Sequence, residues 1–419
     1  MYKGSIASAA CLLGLGLAAR ADDFAIRDAD TVVFLGDSIT AARAYGQVIE
    51  NYTLLRYPGR NVRFHNAGWG GDTAAGGLKR LERDVFARGA TLLTVAYGVN
   101  DIGWVLKADD EHRQLYLDSI RGIVEACKKK GVRVFICSAA ITAGDKGEDD
   151  YLQKMCNEGM AIARAAGEGA IDVMGSMREI QKRVRQWTAA HKDAKDTLHA
   201  ADGVHLSDLG QLAMAYAILK GLGAPADVSS ATLSARDAGA VEAKGCRISD
   251  VRVSDDGRRI AFTRLDEGLP LNLEPLWQLQ FRFIPFPDQL NRYLLAVKDL
   301  PAGRYEITAD GRAVGTFDAG QLSAGVNLSS ATADPWQPGG PWDAQAHLLK
   351  RLTEARNHVA VNAMWAPRYL EGTSNLAGVT ADLAELDAAI VRAQRNVARP
   401  VAYRFEVRPA DPPPGPEAK

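Results

Sequence analysis

From residue 31 to about 222 the chain alternates two patterns, and this alternation limits its possible folds more than any other feature. Short runs that are apolar at nearly every position, TVVFLG (31–36), NVRFHNAG (61–68), TLLTVAYG (91–98), VRVFICSA (132–139) and AIDVMG (170–175), are separated by stretches with apolar residues at helical spacing. Leu78, Leu81 and Val85 form one such stripe, and Ile120, Ile123, Val124 and Cys127 another. A strand with one wet face alternates apolar and polar residues, whereas a strand apolar throughout must be covered on both faces. The pattern therefore predicts an α/β domain built on a parallel sheet with helices on both sides. Such sheets bind ligands beyond the carboxyl ends of their strands, which is where chemistry is expected.

At 419 residues the chain is long for one core and points to two domains. The first 21 residues read as a removable leader: Lys3 begins it, IASAACLLGLGLAA is too short to span a bilayer, and Ala19-Arg20-Ala21 has the form of a cleavage site. A catalytic domain over 22–224 and export to the periplasm or cell exterior are the resulting expectations. Residues 219–240, LKGLGAPADVSSATLSARDAGA, read as a linker or loop. Beyond it an accessory region (225–419) is expected. It comprises a β-rich part (240–332) with a hairpin at ADGRA, a Pro/Gly loop at 333–343, and a helical hairpin (343–399). Leu348, Leu352, Ala355 and Val359 mark the first helix of that hairpin. Leu376, Val379, Leu383, Leu386, Ile390, Ala393 and Val397 mark the second. A strand YRFEVRP and a Pro-rich tail close the chain.

Lys and Arg total 50 against 51 for Asp and Glu, so no charge excess calls for nucleic acid or an acidic membrane, and no later segment has the length of a membrane span. Besides Cys11 in the leader there are Cys127, Cys137, Cys156 and Cys246, in neither zinc nor disulfide spacing. Free buried thiols are expected, with a disulfide left open.

Four stretches at or after strand ends carry residues of reactive type: GDSIT (36–40), NAGWGGDT (66–73), GVND (98–101) and DGVHLSDLG (202–210). A hydrolytic serine needs a base, a group that orients the base, and N–H donors for an oxyanion. Ser38 at a strand-to-helix turn could be the nucleophile, or simply the N-cap of the next helix. Asp202 and His205, three residues apart, could share one turn and fix the imidazole tautomer that acts as base; alternatively the stretch is a loop with Ser207 capping the following helix. Asn100 offers an amide donor, or is an ordinary turn residue. The glycines of GWGGD let backbone approach a ligand closely, or merely form a tight loop. Metal catalysis is not expected: the carboxylates and His112 in ADDEHRQ (108–114) start a helical run and more simply cap it. No cofactor is called for.

Gly36-Asp37-Ser38, Gly71-Asp72-Thr73, Gly98-Val99-Asn100-Asp101 and Asp202-Gly203-Val204-His205 resemble, in order and spacing, the four blocks of the SGNH or GDSL-type hydrolases. Ile39 stands where that family usually has leucine. The resemblance covers about residues 30 to 222 and implies a flavodoxin-like three-layer fold. It also implies Ser38 as nucleophile and first oxyanion donor, Gly71 and Asn100 as the other donors, His205 as base and Asp202 as its orienter. Gly68 or Gly70 could replace Gly71. The α/β-hydrolase alternative would show G-x-S-x-G, which the sequence lacks.

Ester hydrolysis through an acyl-serine is the implied reaction. The two-part layout is similar to that of bacterial secreted carbohydrate esterases, so the expected substrate is a short acyl group, foremost acetyl, on a plant cell-wall polysaccharide or oligosaccharide. Trp69 and Trp104 could stack on sugar rings or simply pack, and Trp336 and Trp342 could form a further platform. A lipid or aryl esterase would use the same residues, and a non-catalytic carbohydrate-binding protein remains the third alternative.

Overall fold

The computed structural model describes residues 24–273 and 275–410; the expected leader and the Pro-rich tail lie outside the described residues. Five parallel strands form the first sheet: β1 (Thr31–Gly36), β2 (Arg63–Gly68), β3 (Leu92–Ala96), β4 (Arg133–Cys137) and β5 (Gly169–Ile171), in the order β2-β1-β3-β4-β5. This is the flavodoxin-like order that the fold class predicts. All of β1 is buried, as its unbroken apolar run requires. The helices between the strands are α1 (Ser38–Ala41), α2 (Ala44–Arg56), α3 (Ala74–Lys79), α4 (Leu81–Asp84), α5 (Asp110–Lys130) and α6 (Tyr151–Ala165), and α7 (Val173–Ala190) and α8 (Asp208–Gly221) follow β5. Asp109, Asp150, Asp172 and Ser207 each accept a backbone N–H as the N-cap of α5, α6, α7 and α8. The Leu78–Val85 stripe is split between α3, α4 and a following turn, and Leu81 and Val85 reach the core.

Register decides where the chemistry emerges. Gly36 pairs with both Gly68 and Ala96, so β1, β2 and β3 end level and the segments after them share one sheet edge.

The C-terminal region contains two further sheets, one on β6 (Asp227–Ser234) and β7 (Val241–Lys244), the other on β8 (Cys246–Val253) and β9 (Ile260–Asp266). After α9 (Phe286–Leu290) come β10 (Arg292–Lys298), β11 (Arg304–Ala309), β12 (Arg312–Asp318), α10 (Ala319–Ala324) and β13 (Val326–Asn327). The sheet orders are β13-β10-β6-β7 and, once β14 (Tyr403–Pro409) is added, β12-β11-β14-β9-β8. β6 runs through the expected linker at 219–240; its Ser and Ala residues weaken the strand signal, although its pairing with β10 buries Val228, Ala231 and Leu233. The ADGRA turn forms as expected, with Asp310 and Gly311 at φ 48 and 76, the left-handed pair that a two-residue hairpin requires. Trp342 is not a platform. It is fully buried, 5.0 Å from Tyr293 and stacked on Phe405 at 5.6 Å, and so joins the two sheets.

Between these sheets in sequence, α11 (Pro341–Tyr369) and α12 (Leu376–Ala398) form the helical hairpin. Of the expected α11 stripe Val359 is buried, but Leu348 and Ala355 are exposed, and Ala346, Leu349 and Thr353 are buried instead, because α11 packs on α2 as well as on α12. On α12, Leu386 is also exposed.

The hairpin is seated on α2 through buried polar groups. Arg356 reaches Glu50 (2.9 Å), Asp387 (3.0 Å) and the Phe64 carbonyl (3.2 Å). Gln394 donates to Glu50 (3.0 Å) and Thr353 (2.8 Å), and Thr353 donates to Asn51 (2.6 Å).

Cys127, Cys137, Cys156 and Cys246 are free thiols, and burial pushes the first three up to about 12. Among the described residues no helix is long and apolar enough to cross a membrane.

Candidate active site

β1 ends on a residue that must be glycine: a Cβ at Gly36 would stand 2.1 Å from Thr40 Oγ1 and 2.8 Å from the Ala96 carbonyl. The chain turns at Asp37, which caps α1 by accepting the Ile39 N–H at 2.9 Å. The cap is thus Asp37 rather than Ser38, and Ser38, the first helical residue, keeps its hydroxyl for another partner. That partner is His205, whose Nε2 lies 2.9 Å from Ser38 Oγ. His205 Nδ1 lies 2.6 Å from Asp202 Oδ2, while Asp202 Oδ1 accepts the Val204 and His205 N–H groups at 2.9 Å each. The hydrogen bond to His205 and then these backbone donors hold the Asp202 carboxyl down to about 2. An ionised Asp202 keeps the proton on Nδ1 and leaves the Nε2 lone pair facing the serine. Ser207 does cap α8, accepting from Gly210 N–H at 3.2 Å, and this leaves Asp202 and His205 to each other.

Two of the expected donors, Gly71 and Asn100, lie in the loops that follow β2 and β3, the strands that flank β1. A turn closed by Asp72 N–H to the Trp69 carbonyl (3.2 Å) places Gly71 at its left-handed position, φ 73. Gly70 and Gly71 both face open space, whereas Gly68 is committed: its N–H donates to Asn66 Oδ1 (3.0 Å), and a Cβ would meet Ala41 N at 2.2 Å. Asn100 Nδ2 donates to the Asp72 carbonyl at 3.0 Å, which leaves its second proton for the site.

Trp104 packs within the site itself. Its indole N–H donates to Asn100 Oδ1 at 2.9 Å, and its ring meets His205 edge-on at 5.8 Å and 74°. Gly103, Trp104 and Val105 are all left-handed, at φ 51, 56 and 75, a strained backbone that delivers the indole to Asn100. Trp69 is half-exposed, and its neighbour is Trp365 of α11 at 5.9 Å.

Sequence reasoning missed the residues behind these loops. Asp72 accepts from Arg80 Nε and Tyr97 Oη, both at 2.8 Å, and Arg80 Nη2 also donates to the Gly36 carbonyl (3.2 Å), so the glycine loop is tied to the end of β1. No local spacing marks Arg80 or Tyr97. Burial pushes Asp37 up to about 6 and Asp101 up to about 7. Asp101 Oδ1 accepts the Ala74 N–H (2.9 Å), and its buried Oδ2 has no partner, as suits a carboxyl that keeps its proton. In the ADDEHRQ stretch, Asp109 caps α5 by accepting the His112 N–H.

Chemically the constellation combines a hydroxyl, a lone pair that can take its proton and a carboxylate that stabilises the resulting imidazolium. That set suits acyl transfer to serine.

Residues 34–213 match the profile of the GDSL-like lipase/acylhydrolase family, a span that contains Ser38, Gly71, Asn100, Asp202 and His205. Among solved structures, a gut microbial diltiazem-metabolizing enzyme is similar with a TM-score of 0.76 at 23% identity, covering 92% of this chain and 98% of its own. The shared fold thus includes the C-terminal region. An acetyl xylan esterase from Geobacillus stearothermophilus (20% identity, TM-score 0.39) covers 48% of this chain and 97% of its own. An α/β hydrolase from the metagenome of Lake Arreo, Spain (18% identity, TM-score 0.39) covers 48% and 98%. No curated protein matches the sequence.

Proposed function

For a chain whose residues 34–213 form a GDSL-like lipase/acylhydrolase domain, we propose the activity of a serine esterase that removes short acyl groups, foremost acetyl, from a carbohydrate. One observation carries the reading: Ser38, His205 and Asp202 lie in hydrogen-bond sequence at 2.9 and 2.6 Å. In the first step Ser38 Oγ attacks the ester carbonyl carbon while His205 Nε2 takes its proton. The carbonyl oxygen becomes an oxyanion facing the N–H groups of Ser38 and Gly71 and the free Asn100 amide proton. His205 then returns the proton to the departing sugar oxygen as the tetrahedral species collapses, leaving an acyl-serine. Water activated by the same imidazole repeats the sequence and releases the carboxylic acid.

The site's openness supports a substrate carried on a polymer. The side chains of His205 and Asp202 are 37% and 38% exposed, so the acyl group is met near the surface rather than deep in a channel. The half-exposed Trp69 supports a sugar. The leader-like first 21 residues support action outside the cytoplasm. A lipid or aryl ester is the second reading, favoured by the exposed Val105 and Leu106 beside Trp104.

Acetate release from a panel of acetylated plant polysaccharides and oligosaccharides, compared with long-chain and aryl esters, tests the substrate class. Preference for long acyl chains would overturn it. Ser38→Ala should lower turnover at least about 1,000-fold with an unchanged melting temperature; turnover at the wild-type rate would sink the nucleophile assignment.

A further inference from the structure

We propose that the helical hairpin completes the substrate cleft, with Trp365 and Tyr369 of α11 extending from Trp69 as an aromatic row for the sugar units that flank the acylated one. This rests on the carbohydrate-esterase reading and gives the C-terminal region a direct part in it. The row begins on the glycine loop, next to the end of β1. Trp69 lies two residues before Gly71, and its N–H donates to the Gly36 carbonyl at 3.0 Å, two residues before Ser38. From Trp69 the next ring, Trp365, is 5.9 Å away and tilted by 39°, and Tyr369 follows at 5.7 Å and 28°.

These rings are not scattered surface aromatics. Three are contiguous, Tyr369 is 73% exposed, and the Arg368 guanidinium sits 5.5 Å from the Trp365 centroid. Flat apolar faces edged with a phenol, indole N–H groups and a guanidinium suit a pyranose, which presents C–H faces and a rim of hydroxyls. A fatty chain would leave those donors without acceptors.

Two links set the row's position against Ser38. The seat of Arg356, Thr353 and Gln394 on α2 fixes the body of the hairpin. Closer to the site, Arg43, just after the nucleophile helix and left-handed at φ 67, donates to Asn357 Oδ1 at 3.2 Å, two helical turns before Trp365. The middle of α11 is therefore tied to the turn between α1 and α2, five residues after Ser38.

The test compares two substrates of the full-length protein, an acetylated xylo-oligosaccharide and 4-nitrophenyl acetate, in Trp365→Ala, Tyr369→Ala and Trp365→Phe. Trp365→Ala should raise KM for the oligosaccharide roughly five-fold more than KM for the small ester, and Trp365→Phe should restore most of the difference. Tyr369→Ala, at an exposed position where folding is not at stake, should shift the same ratio in the same direction. If both alanine variants move the two KM values in parallel, or move neither, the aromatic row is refuted while the esterase stands. If the wild type turns over the small ester but not the oligosaccharide, the carbohydrate reading itself fails, and the row with it.

Discussion

At the carboxyl edge of the parallel sheet, polar side chains are held by neighbours in sequence: Asp37 by Ile39, Asp202 by Val204 and His205, and Asn100 by Trp104. Under the helical hairpin the partners lie hundreds of residues apart, as in Glu50 with Arg356 and Gln394, Asn51 with Thr353, and Asn61 with Arg395. The first arrangement closes largely within each loop and is joined between loops by strand register and by a few ties of 25 to 44 residues, such as Asn100 to the Asp72 carbonyl and Arg80 to the Gly36 carbonyl. The second exists only when the chain has passed through both C-terminal sheets and returned. Chemistry and its placement therefore belong to the first domain. The hairpin's reach over the glycine loop depends on a buried polar seat with no local support.

The most damaging way to break this contrast is at the seat. Arg356→Met leaves the Glu50 carboxylate buried without its cation and should destabilise the protein by about 3–5 kcal/mol in denaturant unfolding. Turnover of 4-nitrophenyl acetate at temperatures below unfolding should persist, because no triad residue touches the seat. A stability loss under about 1 kcal/mol would show that apolar contacts alone hold the hairpin.

A smaller effect sharpens the other side. Burial raises Asp101 from 3.8 to about 7, so the folded protein retains a proton that the unfolded chain releases above pH 4. The part of the stability that rests on Asp101 then falls as pH rises from about 4 to 7 and levels off above that range. Asp101→Asn, which keeps the acceptor for Ala74 N–H, should match the wild type near pH 4 and exceed it by roughly 2–4 kcal/mol at pH 8. Equal pH dependence in the two proteins would show that Asp101 is solvated.

The smallest expected effect concerns Trp104. Trp104→Phe keeps a ring beside His205 but removes the donor to Asn100 Oδ1, and should lower kcat roughly ten-fold with KM within about two-fold. A raised KM with kcat intact would return Trp104 to the role of a sugar platform.

How much of this was legible in the sequence follows the same division. TVVFLG became β1 residue for residue, and the blocks holding Ser38, Gly71 and Asn100 share one edge because β1, β2 and β3 end level, while His205 reaches Ser38 from the stretch before α8. Periodicity reports burial, and these strands are buried on both faces. It could not report that Asp37 would take the cap and leave Ser38 free, since both residues are good caps. Nor could it separate Trp342, locked between two sheets, from Trp69, half in water. β6 was hidden by its small residues, and the α11 stripe was misplaced because a helix touching two partners buries a face that neither partner alone would predict. Arg80, Tyr97 and Arg356 act over long sequence separations, where spacing carries no signal.

The four free thiols described with the fold bear on how the protein could be watched in solution. Cys127, Cys137 and Cys156 are buried in helices and strands of the parallel-sheet domain, while Cys246 opens β8 in the other half. A thiolate-seeking label reaches the first three only when that domain opens, so their alkylation rate is a clock for its breathing. Cys246, half-buried, keeps time for the C-terminal sheets. One reagent thus reads the two halves separately, with no probe engineered into either.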